Sequence, residues 1–280
     1  MTIEAHPKRD WPIGVFDSGL GGLTVVRAIR QQLPGEDILY FGDTARVPYG
    51  TKSPETVTRF ARECFTFLVR RGIKLLVVAC NTASAIALPQ LTGSLRVRTV
   101  GVILPGVEAA LRVTRRRRIG VVGTEATIGS GAYHRALTER DASLEVTSRA
   151  CPFFVPLAEE GWVLGEVPEL VARHYLEPLV EAGIDTLILG CTHYPMLKTV
   201  LGQVAGPEIT LVDSAEETAL ETRRMLSQLD MKAPRDAGGG CEVFVSDAAR
   251  RFAEVGSAFL GEELRRITTV DQGDLPWYER

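Results

Sequence analysis

The 280-residue chain is poor in the residues that hold metals and cofactors: it has four histidines, five cysteines and five lysines. None of the cysteines (Cys64, Cys80, Cys151, Cys191, Cys241) forms a C-x-x-C pair, and the histidines are scattered. Cys191-Thr192-His193 is too isolated a trio to hold a zinc ion, so no metal site is expected. Pyridoxal-phosphate chemistry needs a Schiff-base lysine. Only Lys52 lies near a motif, and no phosphate cup surrounds it. No apolar run is long enough to span a bilayer. The start, Met1 to Trp11, is polar and lacks the apolar centre of a signal peptide. A cytoplasmic protein with reduced thiols is therefore expected. The net charge of only -3 argues against general affinity for nucleic acid. Arg115–Arg118 reads as a solvated helix end rather than a nucleic-acid patch.

What the chain does have is an ordinary globular composition, 45% apolar and 24% charged, at a length comfortable for two domains. Short apolar runs alternate with amphipathic segments. The runs predict strands at Ile13–Phe16, Ile38–Phe41, Leu75–Ala79, Val97–Val100, Ile119–Val122, Leu144–Thr147, Leu187–Leu189, Ile209–Val212, Val243–Val245 and Ile267–Val270. Helices are expected between them, among others at Leu23–Gln32, Pro54–Arg70, Ser84–Leu91, Thr127–Arg140, Val167–Glu181, Met196–Val204 and Ala215–Leu229. Such alternation means parallel sheets with right-handed crossover helices.

Two cysteines sit in matching frames. Gly72-Ile73, an apolar run, Ala79 and Cys80-Asn81-Thr82 correspond to Gly183-Ile184, an apolar run, Gly190 and Cys191-Thr192-His193. Ile13-Gly14-Val15-Phe16-Asp17-Ser18 matches Ile119-Gly120-Val121-Val122-Gly123-Thr124 at nearly the same offset. Two ordered matches imply an internal duplication. The expected fold is α/β: two pseudo-symmetric α/β domains, each a mostly parallel sheet flanked by helices, with the active site in the cleft between them. The first domain is expected to be discontinuous, residues 1–101 plus 213–280, and the second to span 102–212. Pro234–Gly240 reads as a surface loop.

Four segments carry chemistry. Phe16-Asp17-Ser18-Gly19-Leu20-Gly21-Gly22-Leu23-Thr24 is a strand end, a glycine-rich turn and a helix start. The last glycine of a G-x-G-x-x-G fingerprint falls at Thr24, which excludes a nicotinamide site. A nest of backbone N–H groups able to hold a carboxylate remains. Gly42-Asp43-Thr44-Ala45-Arg46-Val47-Pro48-Tyr49-Gly50 is a stiff loop after a strand. The other two are the cysteine frames. A thiol at a buried strand end, before a helix, sits where α/β sheets bind ligands. Asn81, Thr82 and Thr192 are placed to donate hydrogen bonds, and His193 to set the protonation of Cys191. Two thiols on pseudo-symmetric halves suit moving a proton from one face of a carbon to the other. Cys64 lies on a helix core face and reads as a small buried hydrophobe.

These segments, together with Cys151-Pro152, Pro156-Leu157-Ala158-Glu159 and Leu211-Val212-Asp213-Ser214, resemble the cofactor-independent aspartate/glutamate racemase family. The resemblance runs from about residue 13 to Ser214, and the residues before Ile13 are an extra start without evident role. It implies that L- and D-glutamate bind between two α/β domains without cofactor. One thiolate removes the α-proton while the other thiol delivers one to the opposite face, Cys80 serving D-glutamate and Cys191 serving L-glutamate. Asp17, His193 and Glu159 match the family's auxiliary polar groups. Asp17, Ser18, Pro48, Tyr49, Gly50, Asn81, Thr82, Thr124, Thr127, Thr192 and His193 fall where the family holds the substrate. The resemblance also implies a homodimer and a role in supplying D-glutamate for peptidoglycan in a bacterial cytoplasm. Some of the family are also thought to act on DNA gyrase, and nothing in the residues speaks for or against that second role. Rival readings are a relative acting on aspartate or a hydantoin, and a non-catalytic two-lobed amino-acid-binding protein.

Overall fold

The computed structural model describes residues 7–264, 266–271, 273 and 277–279; Met1–His6 of the polar start lie outside the described residues. In chain order the strands are β1 (Ile13–Asp17), β2 (Ile38–Gly42), β3 (Leu75–Val78), β4 (Arg98–Gly101), β5 (Arg118–Gly123), β6 (Glu145–Ala150), β7 (Thr186–Gly190), β8 (Thr210–Asp213), β9 (Cys241–Val245) and β10 (Ile267–Thr269). The helices are α1 (Leu23–Gln32), α2 (Pro54–Arg70), α3 (Asn81–Ile86), α4 (Leu88–Leu91), α5 (Ile103–Val113), α6 (Glu125–Gly129), α7 (Ala132–Arg140), α8 (Phe154–Glu159), α9 (Glu166–Glu181), α10 (Lys198–Ala205), α11 (Ser214–Gln228) and α12 (Ala249–Leu260). None of the described helices is long and apolar enough to cross a membrane.

The strands form two all-parallel sheets, ordered β10-β9-β2-β1-β3-β4 and β6-β5-β7-β8. The inner strands β1, β3 and β7 are buried along their whole length because helices cover both faces. That double burial is why they read as continuous apolar runs. One apolar cluster joins the facing sides of both sheets through Phe16, Val78, Val107, Ile119 and Ile188. Two others fill the outer sides, one around Val15, Leu23 and Phe252, the other around Leu187, Leu176 and Leu201.

The duplication is visible in the topology. The order β2-β1-β3-β4 recurs as β6-β5-β7-β8, with β9 and β10 added on the β2 edge. It extends to single atoms. A Cβ on Gly14 would come within 2.6 Å of Ile73 Cδ1, and one on Gly120 within 2.6 Å of Ile184 Cδ1. The preceding glycines take matching left-handed conformations, φ 75° at Gly72 and 72° at Gly183, which favour glycine. Both Gly-Ile frames are thus the same lock, in which a turn glycine seats an isoleucine on a strand glycine.

Three helices depart from the expected spans. The stretch 84–91 is two helices, α3 beginning three residues earlier with Cys80 as its N-cap and α4 carrying Pro89 in its first turn. The stretch 127–140 breaks at Gly131, φ 65°, into α6 and α7. The segment expected at Met196–Val204 opens as a 3-10 turn over Tyr194–Leu197 before α10.

Candidate active site

The first thiol stands where β3 gives way to α3. Cys80 caps that helix, its Sγ accepting from the Ala83 N–H at 3.5 Å and donating to Ser18 Oγ at 3.4 Å. Burial and the nearby Asp17 carboxylate push this thiol up to about 12, against the contrary pull of Ser18 and the Ala83 amide. These surroundings favour the protonated thiol at Cys80.

The second thiol follows β7, and its neighbour is an imidazole rather than a carboxylate. Cys191 Sγ lies 3.8 Å from His193 Nδ1, and His193 Nε2 lies 3.0 Å from Glu159 Oε1. Burial opposes charge on the imidazole. The hydrogen bonds to Cys191 and Glu159 outweigh it and raise His193 to about 10. A protonated ring donates from both nitrogens, and the row Cys191–His193–Glu159 gives each a partner. The same contact, with the charges of His193 and Arg251, holds Glu159 below the usual carboxylate range despite partial burial. The Phe259 ring of α12 meets the imidazole edge to face at 5.4 Å.

The glycine-rich turn after β1 is a nest, as its sequence suggests, and the anion in it belongs to the chain itself. Asp17, wholly buried, accepts from the Gly19 N–H at 2.9 Å and from the Gly22 N–H. It also accepts from Thr192 Oγ1 at 3.4 Å. Burial raises the carboxyl, with His193 and these donors pulling the other way. Thr24 Oγ1 bonds the Thr192 carbonyl at 3.0 Å. The turn after β1 is thereby stitched to the segment after β7.

Both thiols line one cavity of about 260 Å³ between the two sheets. From the first half come Ser18, Gly19, the run Val47–Thr51, Cys80, Asn81 and Thr82. From the second come Thr124, Glu125, Pro152, Val155, Pro156, Glu159 and Cys191–His193. Of the residues proposed from sequence, Asp17 and Thr127 do not reach this wall. Asp17 acts through Thr192. Thr127 closes a ring of three hydroxyls with Thr82 and Thr124, with oxygens 2.9–3.1 Å apart. Tyr49 lines the cavity, but its hydroxyl turns away to Asp43. Asn81 is buried with its Nδ2 unpartnered among the described residues. Glu125 and Val155 carried no signal in sequence, because a lone glutamate at a helix start and a valine beside prolines look structural.

The chemistry available is specific. Two thiols reach one small space from equivalent strand ends. They are surrounded by hydroxyls, amides and one unpaired side-chain N–H, which suit a ligand rich in carboxylate oxygens.

The profile of the Asp/Glu/Hydantoin racemase family matches residues 13–222. A glutamate racemase of Geobacter metallireducens is 58% identical over 258 residues, covering 92% of this chain and 96% of the relative. The structure of a glutamate racemase isoform from Bacillus anthracis superposes with TM-score 0.88 at 40% identity, covering 94% of this chain and 98% of that one. The glutamate racemase of Francisella tularensis, solved with D-glutamate, gives TM-score 0.88 at 36% identity over 95% of this chain and 99% of its own. Doubled topology, paired thiols and these likenesses converge: the chain belongs to the Asp/Glu/Hydantoin racemase family.

Proposed function

We propose that this enzyme interconverts L- and D-glutamate by moving a proton between Cys80 and Cys191, without a cofactor. The observation that carries the reading is that both cysteines, each just beyond an equivalent strand of two like sheets, open on one cavity. The D-glutamate bound in the Francisella relative supports the choice of substrate.

In this reading Cys191 as thiolate takes the α-proton of L-glutamate, and Cys80 as thiol supplies one to the opposite face. For D-glutamate the roles reverse. The α-hydrogen beside a carboxylate is weakly acidic, so the developing negative charge must be met by fixed donors in a water-poor cavity. The hydroxyls of Ser18, Thr82 and Thr124 and the backbone N–H groups of Tyr49, Gly50 and Thr51 are the donors at hand, while Asn81 Nδ2 is left for a carboxylate oxygen already charged in the ground state. On the Cys191 side His193 stabilises the thiolate, and Glu159 holds the ring in place. On the Cys80 side Ser18 and the Ala83 amide stabilise the thiolate, while Asp17 limits its lifetime. The two sheets with their helices are read as two domains, 1–101 plus 213–280 and 102–212, that close on the substrate. A homodimer in a bacterial cytoplasm, supplying D-glutamate for peptidoglycan, completes the proposal.

The test is racemisation of each glutamate enantiomer in D2O by dialysed protein, beside aspartate and the variants Cys80→Ser and Cys191→Ser. Deuterium enters the α-position as the rotation decays, and both variants lose turnover. Folded protein that turns over neither enantiomer overturns the assignment.

A further inference from the structure

Tyr133 belongs to no motif and lies outside the cavity wall, yet its hydroxyl bonds a side-chain amide that lines the cavity. It is 2% exposed, and its hydroxyl crosses from α7 to α3 to donate to Asn81 Oδ1 at 2.8 Å. Its ring fills space left by two glycines. A Cβ on Gly190, the residue before Cys191, would stand 3.0 Å from the ring, and one on Gly106 would stand 3.6 Å away. The glycine before the second cysteine, where the first frame has Ala79, is thus held by the Val122 carbonyl, 2.6 Å from such a Cβ, and by the Tyr133 ring.

Asn81 lines the cavity, and its Nδ2 is buried without a partner among the described residues. A buried donor in that state is uncommon and costly unless a ligand satisfies it. The side-chain amide is planar, with its acceptor and donor at opposite ends, and rotation about the terminal bond exchanges them. With Oδ1 bound to the phenol, Nδ2 is the end left for the cavity. In the flipped amide the NH2 group donates to the Tyr133 oxygen instead, but the hydroxyl hydrogen loses its acceptor and Oδ1, which cannot donate, faces the cavity.

We propose that Tyr133 is a positioning residue: from the opposite half of the chain it selects the donor end of the Asn81 amide to meet a substrate carboxylate oxygen. The inference rests on the racemase reading and adds to it a residue that touches neither thiol nor cavity. Because Asn81 and Tyr133 sit on different sheets' helices, the donor is presented only when the two halves are brought together as they are here.

Tyr133→Phe keeps the ring and removes the hydroxyl. The expected result is a KM raised about three- to tenfold for both enantiomers, the range of one neutral hydrogen bond, with kcat within about twofold. Uniform binding is what such a contact supplies. In an Asn81→Ala background the same substitution leaves KM where Asn81→Ala put it. A purely structural tyrosine lowers Tm in both backgrounds and leaves KM unchanged, and that pattern overturns the inference. So does an equal KM effect with Asn81 already removed. The Asn81 side-chain amide signal in a 15N–1H spectrum tests the contact without turnover: Tyr133→Phe shifts it, and an unshifted signal refutes the positioning role. If the wild-type chain fails to racemise glutamate while that signal shifts, the substrate assignment falls and the Tyr133–Asn81 contact stands.

Discussion

Adding one methyl group at Gly21 provides the sharpest test of how the two halves meet. Gly21 lies in the turn after β1, but what it touches belongs to the segment after β7. An added Cβ would come within 2.5 Å of His193 Nδ1 and closer still to Thr192 Oγ1. Ordinary contact begins at 3.4 Å, so something must move by about 1 Å. Little there is free to move. Thr192 is tied through its carbonyl to Thr24 and through its hydroxyl to Asp17. His193 is held by Glu159 on one side and faces Phe259 on another. Overpacking of this kind costs about 1–3 kcal/mol of stability. Displacing a reacting group by about 1 Å costs about 100-fold in rate, or about 2.7 kcal/mol. Gly21→Ala is therefore expected to lower kcat/KM for both enantiomers about 100-fold and to lower Tm. Gly93→Ala, with open space around the new Cβ, is the silent control. The assay is polarimetric racemisation with calorimetry on the same samples. A Gly21→Ala protein with activity within about twofold of wild type would refute the picture of a rigid seam beside Cys191.

The row Cys191–His193–Glu159 predicts a pH signature. His193 is raised from 6.5 to about 10 in the folded chain, so its stabilising contribution is complete below pH 6.5 and is lost as pH rises through about 10. Tm measured at pH 6, 8 and 10 should fall across that window. Glu159→Gln, which removes the carboxylate partner, should make the fall smaller and move the alkaline limb of the rate profile to lower pH; identical profiles would exclude the role given to Glu159. Thr124 caps α6, accepting the Thr127 N–H at 3.1 Å, and also joins the hydroxyl ring. Thr124→Val should lower Tm by about 2 °C through the lost cap and raise KM, and an unchanged Tm in differential scanning calorimetry would count against the cap.

The inner strands β1, β2, β3 and β7 were readable because burial on both faces leaves a dense apolar trace. The helix Pro54–Arg70 was readable for a similar reason: Ser53 accepts the Thr56 N–H and proline opens the first turn. The helix Ile103–Val113 did not stand out, since Pro105-Gly106 looks like a break. Proline in the first turn lacks a donor that would be idle there, and Gly106 lies against Tyr133. The break at Gly131 was hidden because its neighbours keep a helical pattern. At the site, the two thiols announced themselves by repetition, which needs no knowledge of contacts. The occupant of the glycine nest did not: whether an N–H cradle faces a ligand or the carboxylate two residues earlier depends on side-chain direction. Tyr133 was invisible for the same reason, since only the fold brings α7 beside α3.

The unlike surroundings of the two thiols meet a thermodynamic limit. Cys80 stands beside a buried carboxylate, and Cys191 beside an imidazole raised to about 10. Mirror-image substrates in water have equal free energy, so the equilibrium constant between them is one, and kcat/KM must be equal in the two directions whatever the protein does. The asymmetry of the flanks is thus barred from the ratio and is free only to divide each direction differently between kcat and KM. It also decides how much enzyme rests with its proton on one sulfur rather than the other. In the proposed two-thiol mechanism each turnover leaves the proton on the thiol opposite to where it began, so the two resting forms must interconvert before the next substrate of the same hand can react. On that mechanism the return step, with Asp17 beside one thiol and His193 beside the other, becomes part of the measured rate at high substrate concentration.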